Sequence, residues 1–87
     1  LGREITMEAG GVWTRPDLFV ELPNGRQAFV EVKTGPSAAL TPNQRIAFPS
    51  IQSTGGVPVG ANAADALLRS GRPIGPTEVW VVHQPWP

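Results

Sequence analysis

Three side chains within one short stretch of this chain have types and spacing that could do chemistry together. From residue 15 to 33 it reads Arg-Pro-Asp-Leu-Phe-Val-Glu-Leu-Pro-Asn-Gly-Arg-Gln-Ala-Phe-Val-Glu-Val-Lys, with carboxylates at Asp17 and Glu31 and an ammonium at Lys33. Two apolar-rich runs flank Pro23-Asn24-Gly25, the pattern of a β-hairpin, and the turn type decides which side chains share a face. A bare Asn-Gly suggests a two-residue type I′ loop, which pairs Asp17 with Val32. Pro23 in front of it favours a three-residue loop, with Pro23 and Asn24 right-handed and Gly25 left-handed. In that register Leu22 pairs with Arg26, Asp17 faces Glu31, Phe19 faces Phe29 and Arg15 faces Lys33. Two opposed carboxylates on a sheet repel each other. They are tolerable if both point to water, if one is protonated, or if a cation sits between them. Lys33 supplies part of that charge, and a bound divalent metal would supply the rest. Without a metal, the three groups reduce to an exposed hairpin face with an ordinary ion pair, worth under about 1 kcal/mol.

The elements that must position these groups follow from periodicity and turn chemistry. One face of the hairpin carries Leu18, Val20, Leu22, Ala28, Val30 and Val32, all apolar, and is predicted to be core. Residues 3–9 alternate polar and apolar as a half-buried strand does, and Gly10-Gly11 breaks it. Strands are predicted over Pro16–Leu22 and Gln27–Lys33, the latter ended by Gly35-Pro36. Thr41 as N-cap, Pro42 at the first helical position and Gln44 at the capping-box position start a helix. It is predicted to run to about Ser53, to stop at Gly55-Gly56, and to be kinked or split by Pro49. A short helix is predicted from Asn62 to Ser70, with Asn62 as cap and Gly71 as stop. Thr77–Gln84 reads as a final strand buried on both faces. The order β-β-β-α-(short α)-β predicts an α/β sandwich with a mixed sheet. Phe19 and Phe29 are expected to pack beneath the Gln44 helix, bringing its Gln44 end toward the carboxylates.

Composition narrows the chemistry. The 87 residues are read as a single domain, 1–87. With no Cys and His83 as the only histidine, thiolate zinc sites, cysteine nucleophiles, Ser-His-Asp triads and multi-histidine metal sites are excluded. Seven Lys+Arg balance seven Asp+Glu, so no bulk field draws the chain to nucleic acid or membrane. The apolar runs are too short to span a bilayer. Gly and Pro, ten of each, exceed the usual share of about 12% and imply a loop-rich region. Beginning at Leu1 with no signal-peptide pattern, the chain is read as a C-terminal fragment of a longer protein.

Pro16-Asp17, thirteen intervening residues, and then Glu31-Val32-Lys33 resemble the PD-(D/E)XK signature of the restriction-endonuclease-like phosphodiesterase superfamily. Gln44-x-x-x-Phe48 resembles the Gln-x-x-x-Tyr element that follows the Glu-x-Lys strand in several nuclease branches, with Phe in place of Tyr. The resemblance implies a restriction-endonuclease-like α/β core: a mixed sheet, an antiparallel hairpin carrying the active site and a helix packed on it. It implies a Mg²⁺-dependent (or Mn²⁺-dependent) nuclease, with Asp17 and Glu31 as metal ligands and the Val32 carbonyl joining them. Lys33 is then the catalytic lysine that orients or activates the attacking water, and Gln44 completes the site. The superfamily usually places a helix with another acidic residue before the first strand; that helix is not evident, and Glu4 or Glu8 is the stand-in. The run Glu-Val-Lys-Thr-Gly, then Leu-Thr-Pro-Asn-Gln-Arg and a Gly-rich tail, further resembles nuclease domains that end bacterial polymorphic toxins. Such toxins are secreted from the producing bacterium, delivered to the target-cell cytoplasm and paired with an immunity protein. DNA is the expected substrate, with tRNA or other RNA as the alternative within the class. A non-catalytic binding module of the same fold is the alternative outside it.

Other residues carry two readings each. Gln44 reads as a site residue or as a cap alone; Arg45 either binds a phosphate or is solvated. Thr34 and Ser37 touch substrate phosphate or satisfy the turn, and Glu21 lines the far end of the hairpin near Gln27. His83 reads as a structural or edge residue rather than a base. Trp13, Trp80 and Trp86 read as core and terminal packing, or as an aromatic platform for bases. Asp65 reads as a helix N-terminal charge.

Overall fold

The computed structural model describes residues 4–35, 39–66 and 68–84. Strands β1 (Thr6–Ala9), β2 (Val12–Thr14), β3 (Leu18–Glu21) and β4 (Gln27–Thr34) precede helix α1 (Pro42–Ser53). Strand β5 (Val57–Val59), a 3₁₀ turn over Ala61–Ala66 and strand β6 (Glu78–Gln84) follow. Among the described residues the strands form two three-stranded sheets, β2-β1-β5 and β3-β4-β6, and the class is α/β. The expected single sheet is therefore replaced by two. The first is antiparallel throughout; in the second, β4 pairs antiparallel with β3 and parallel with β6.

Gly10-Gly11 accounts for part of that difference. Rather than breaking the first strand into loop, both glycines take positive φ, 62° and 82°, and turn it directly into β2 with Ala9 opposite Val12. Positive φ at both central residues is what a two-residue hairpin turn of the right twist demands. The predicted three-residue loop closes the other hairpin. Leu22 N donates to Arg26 O, Gly25 N donates to Leu22 O at 2.9 Å, and Gly25 has φ 82°. The pairs Leu18↔Val30, Phe19↔Phe29, Val20↔Ala28 and Glu21↔Gln27 follow.

Helix α1 begins as predicted. Gln44 N donates to Thr41 Oγ1 (3.2 Å), and Thr41 N donates to Gln44 Oε1 (2.9 Å), a reciprocal capping box with Pro42 at the first turn. Pro49 does not split it: the helix continues to Ser53, with Pro49 on its exposed side. There the carbonyl left without a donor can turn to water. In place of the predicted helix over Asn62–Ser70 there is a 3₁₀ turn at Ala61–Ala66, and the Asn62 amide Nδ2 ties it to the segment just before β1 by donating to Glu4 O at 2.9 Å.

The core lies where α1 meets both sheets: Ile5, Met7 and Ala9, Phe19 and Phe29, Ala47, Phe48 and Ile51, and Val79. The Phe19 and Phe29 rings are 4.7 Å apart, centroid to centroid, and tilted. This inverts the predicted core face of the hairpin. The face bearing Phe19, Phe29 and Glu31 is the buried one, because α1, the crossover between parallel β4 and β6, lies over it. On the opposite face Ala28 is buried, but Leu18 and Val32 are each 36% exposed, Val20, Leu22 and Val30 are half-buried, and Trp80 and Val82 are 42% and 46% exposed. Strand β6 is thus buried on one face rather than two. Trp13 and Trp80 lie on the surface rather than in the core, while Trp86, Ser37 and the side chain of Asp65 lie outside the described residues.

Gly55 holds the tightest backbone approach after the helix. Its φ is +97°, and a Cβ there would sit 1.9 Å from Ile74 O. Gly55→Ala is expected to cost about 3 kcal/mol or more in urea unfolding, combining a steric clash with left-handed strain. Gly25→Ala, whose φ is +82° with nothing within 4 Å, should cost only about 1–2 kcal/mol.

Candidate active site

The site is assembled at the carboxyl ends of the two parallel strands. Thr77 N donates to Ile51 O at 3.0 Å, so the last turn of α1 lies beside the start of β6. The helix has 12 residues and spans about 18 Å, and β6 has seven residues spanning about 23 Å. Thr41 and Gln44 therefore come to the end of the sheet where β4 finishes with Glu31, Lys33 and Thr34. In open α/β sheets this end is where ligands bind.

Asp17 and Glu31 approach through the hairpin register. The ladder ends at Leu18↔Val30, and Asp17 and Glu31 are the next residue on each side of it. Asp17 sits in the bend before β3, half-buried, and its Oδ2 accepts from Val32 N at 2.8 Å. Pro16 explains why. Alternate residues of β4 direct both backbone groups toward β3, and Leu22 N to Arg26 O fixes the phase, so Val32 points that way with Ala28 and Val30. The residue opposite Val32 is Pro16, which has no N–H. The Asp17 carboxylate takes the Val32 N–H, and the Val32 carbonyl receives no donor from the opposed strand.

Glu31 is 6% exposed on the face that α1 covers. Its Oε2 meets Lys33 Nζ at 3.2 Å, with Lys33 also largely enclosed. Its Oε1 is buried without any hydrogen-bond partner. An orphaned carboxylate oxygen costs on the order of 1–3 kcal/mol or more, so the chain alone leaves this position electrostatically incomplete. Among the described residues no three His, Asp or Glu side chains converge. Asp17, Glu31 and the Val32 carbonyl are an all-oxygen set of the hard type that suits Mg²⁺, a cation that keeps several waters and needs few protein ligands. The residues present fit such an ion.

The remaining candidates are placed as follows. Gln44 is buried at the right end of the sheet, but its amide oxygen is engaged in the cap, and it makes no hydrogen bond to Asp17, Glu31 or Lys33. Arg45 and Thr34 are exposed, and Glu21 pairs with Gln27 at the far end. Arg15 does not face Lys33: its Nε donates to Thr6 Oγ1 at 3.2 Å, because the chain leaves the hairpin at Pro16 for the other sheet. Glu8 is exposed on that other sheet, where it accepts from Trp13 Nε1, and Glu4 is exposed just before its first strand, so neither joins the carboxylates. Sequence reasoning missed the position of His83. Parallel pairing sets it opposite Lys33, exposed and on the same face. Only the crossover between β4 and β6 creates that register. A hollow of about 500 Å³ lined by Arg26, Gln27, Gln52, Pro76, Thr77 and Glu78 lies at the hairpin-turn end, away from the carboxylates.

No family model, no curated protein and no solved structure matches the chain.

Two measurements test this geometry. Asp17→Asn keeps an oxygen for the Val32 N–H and should unfold within about 0.5 kcal/mol of wild type, whereas Asp17→Ala should lose about 1–2 kcal/mol in chemical denaturation. Millimolar Mg²⁺ is expected to raise the Tm of the wild-type chain by several degrees in calorimetry, since tenfold saturation corresponds to about 1.4 kcal/mol. Glu31→Gln should show no such rise.

Proposed function

We propose that the chain is a metal-dependent phosphodiesterase acting on nucleic acid, built on a restriction-endonuclease-like core of β3, β4, α1 and β6. The observation that carries this reading is the buried, unpartnered Oε1 of Glu31, next to Lys33 and across from Asp17 at the end of the ladder. A buried carboxylate oxygen without a donor calls for a partner, and a bound cation would supply one. The Pro16-Asp17 arrangement supports it further, because proline frees one backbone carbonyl beside the two carboxylates.

The division of labour follows from the chemistry of phosphodiester hydrolysis. Charge builds on the non-bridging oxygens and must be stabilised, a water must be directed at phosphorus, and the leaving oxygen must be helped away. Asp17, Glu31 and the Val32 carbonyl would hold a Mg²⁺ or Mn²⁺ ion, which supplies that charge stabilisation when bound. Lys33 is held by Glu31 and presents an ammonium that orients the attacking water or donates to a phosphate oxygen. Gln44 closes the helix start at the same end and fixes where the α1 N-terminus sits. Neither a histidine nor a cysteine is needed.

DNA is the favoured substrate in this reading. The toxin role, with an immunity protein as partner and delivery into a target cell, belongs to the same proposal and is supported by the Glu-Val-Lys-Thr-Gly resemblance. Among the described residues no helix is long and apolar enough to cross a membrane.

The test is cleavage of plasmid DNA, single-stranded DNA and tRNA with and without Mg²⁺. Wild type should cut at least one of them only with the metal. Glu31→Gln and Lys33→Ala should each lower the rate by about a hundredfold or more. Cleavage unchanged in both variants would sink the assignment.

A further inference from the structure

The outer face of the β2-β1-β5 sheet carries a second feature that the carboxylate cluster does not use. Trp13 is 57% exposed there, opposite Glu8 in the register. Its indole Nε1 donates to Glu8 Oε2 at 3.4 Å, and its carbonyl accepts from Asn43 Nδ2 at 3.0 Å. The ring is thus oriented from one side, and its strand is tied to the first turn of α1, which also carries Gln44. Arg15, two residues along, is anchored through Nε to Thr6 and forms no salt bridge among the described residues. Trp13 and Arg15, with Thr6 and Thr14, line a hollow of about 230 Å³. Arg15-Pro16-Asp17 then connects this hollow to the first of the carboxylates, with Arg15 exposed, Pro16 buried and Asp17 half-buried.

We propose that Trp13 and Arg15 form a base-stacking platform that feeds an unpaired nucleic-acid strand to Asp17, Glu31 and Lys33. The proposal rests on the phosphodiesterase reading and adds its substrate class: a strand whose bases are free, in single-stranded DNA or in single-stranded RNA. Charge supports the choice. Seven cations against seven anions leave little phosphate-driven affinity, Glu4 and Glu8 border this face, and Arg15 is the cation that lines the hollow beside Trp13 among the described residues. Stacking is the other source of affinity: an exposed, oriented indole provides it, and a duplex, with its bases already stacked, cannot accept it.

The experiment measures binding by the full chain, in chelator so that nothing is cut. It uses fluorescein-labelled mixed-sequence 12-mers: single-stranded DNA, the same DNA as a duplex, and single-stranded RNA. Wild type should bind the single strands more tightly than the duplex, and the DNA and RNA arms identify which strand is preferred. Trp13→Ala should weaken single-strand binding about tenfold or more, and Trp13→Phe should restore most of it. Arg15→Gln should reduce the slope of log K against log salt by about 0.7. Equal binding by wild type and Trp13→Ala, or preference for the duplex, overturns the platform. If Glu31→Gln still abolishes cleavage in that case, the phosphodiesterase reading survives alone. If wild type neither binds nor cuts any strand, both fall.

Discussion

The constraint on which the rest depends is the three-residue reversal at Pro23-Asn24-Gly25. It closes with Leu22 N to Arg26 O and Gly25 N to Leu22 O, and it sets every pair on the hairpin. A slip of one residue would move Phe19 away from Phe29 and send Glu31 to the opposite side from its present neighbours. The same turn therefore decides what the helix can cover and where the acidic groups gather. Proline supplies the right-handed entry and glycine the left-handed exit. Asn24 adds a side-chain acceptor for Arg26 N at 3.0 Å.

Given that register, the crossover from β4 through α1 to β6 does two things at once. It brings Ala47, Phe48 and Ile51 onto the Phe19–Phe29 pair, forming the core, and it leaves the α1 N-terminus at the strand ends where Glu31 and Lys33 project. The polar groups are thus at the edge of the most buried face rather than on an open one. Burial is what makes their arrangement chemically meaningful. A carboxylate oxygen without a donor is expensive in a low-dielectric setting and unremarkable in water.

Electrostatic neutrality bears on the proposed substrate. A protein with balanced charges has no overall field that gathers a polyanion, so in that reading local features must do so. Lys33 is engaged with Glu31, and Arg26 is paired with Glu78 at the far end of the sheet. Arg15, beside an exposed indole and two residues from Asp17, forms no salt bridge among the described residues and stands between the open sheet and the hairpin.

Local chemistry was readable in the residues themselves. The capping box at Thr41 and Gln44, the turn at Pro23–Gly25 and the register that opposes Phe19 to Phe29 all depend on near neighbours whose dihedral preferences settle the outcome. Gly10-Gly11 held the same kind of information, since two glycines between strand-like runs demand a tight hairpin as readily as a break. Long-range choices were not readable. Both faces of the hairpin are apolar enough to be core: Phe19 and Phe29 pack beneath α1 as expected, but only the tertiary packing decided that the valine face stays largely open. The split into two sheets, the placing of His83 opposite Lys33 and the turning of Arg15 toward Thr6 arise from contacts between segments distant in sequence. Patterning along a strand specifies alternation but not which partner arrives on which side, so the types and order of the candidate groups were written in the chain, and their burial and neighbours came from the tertiary fold.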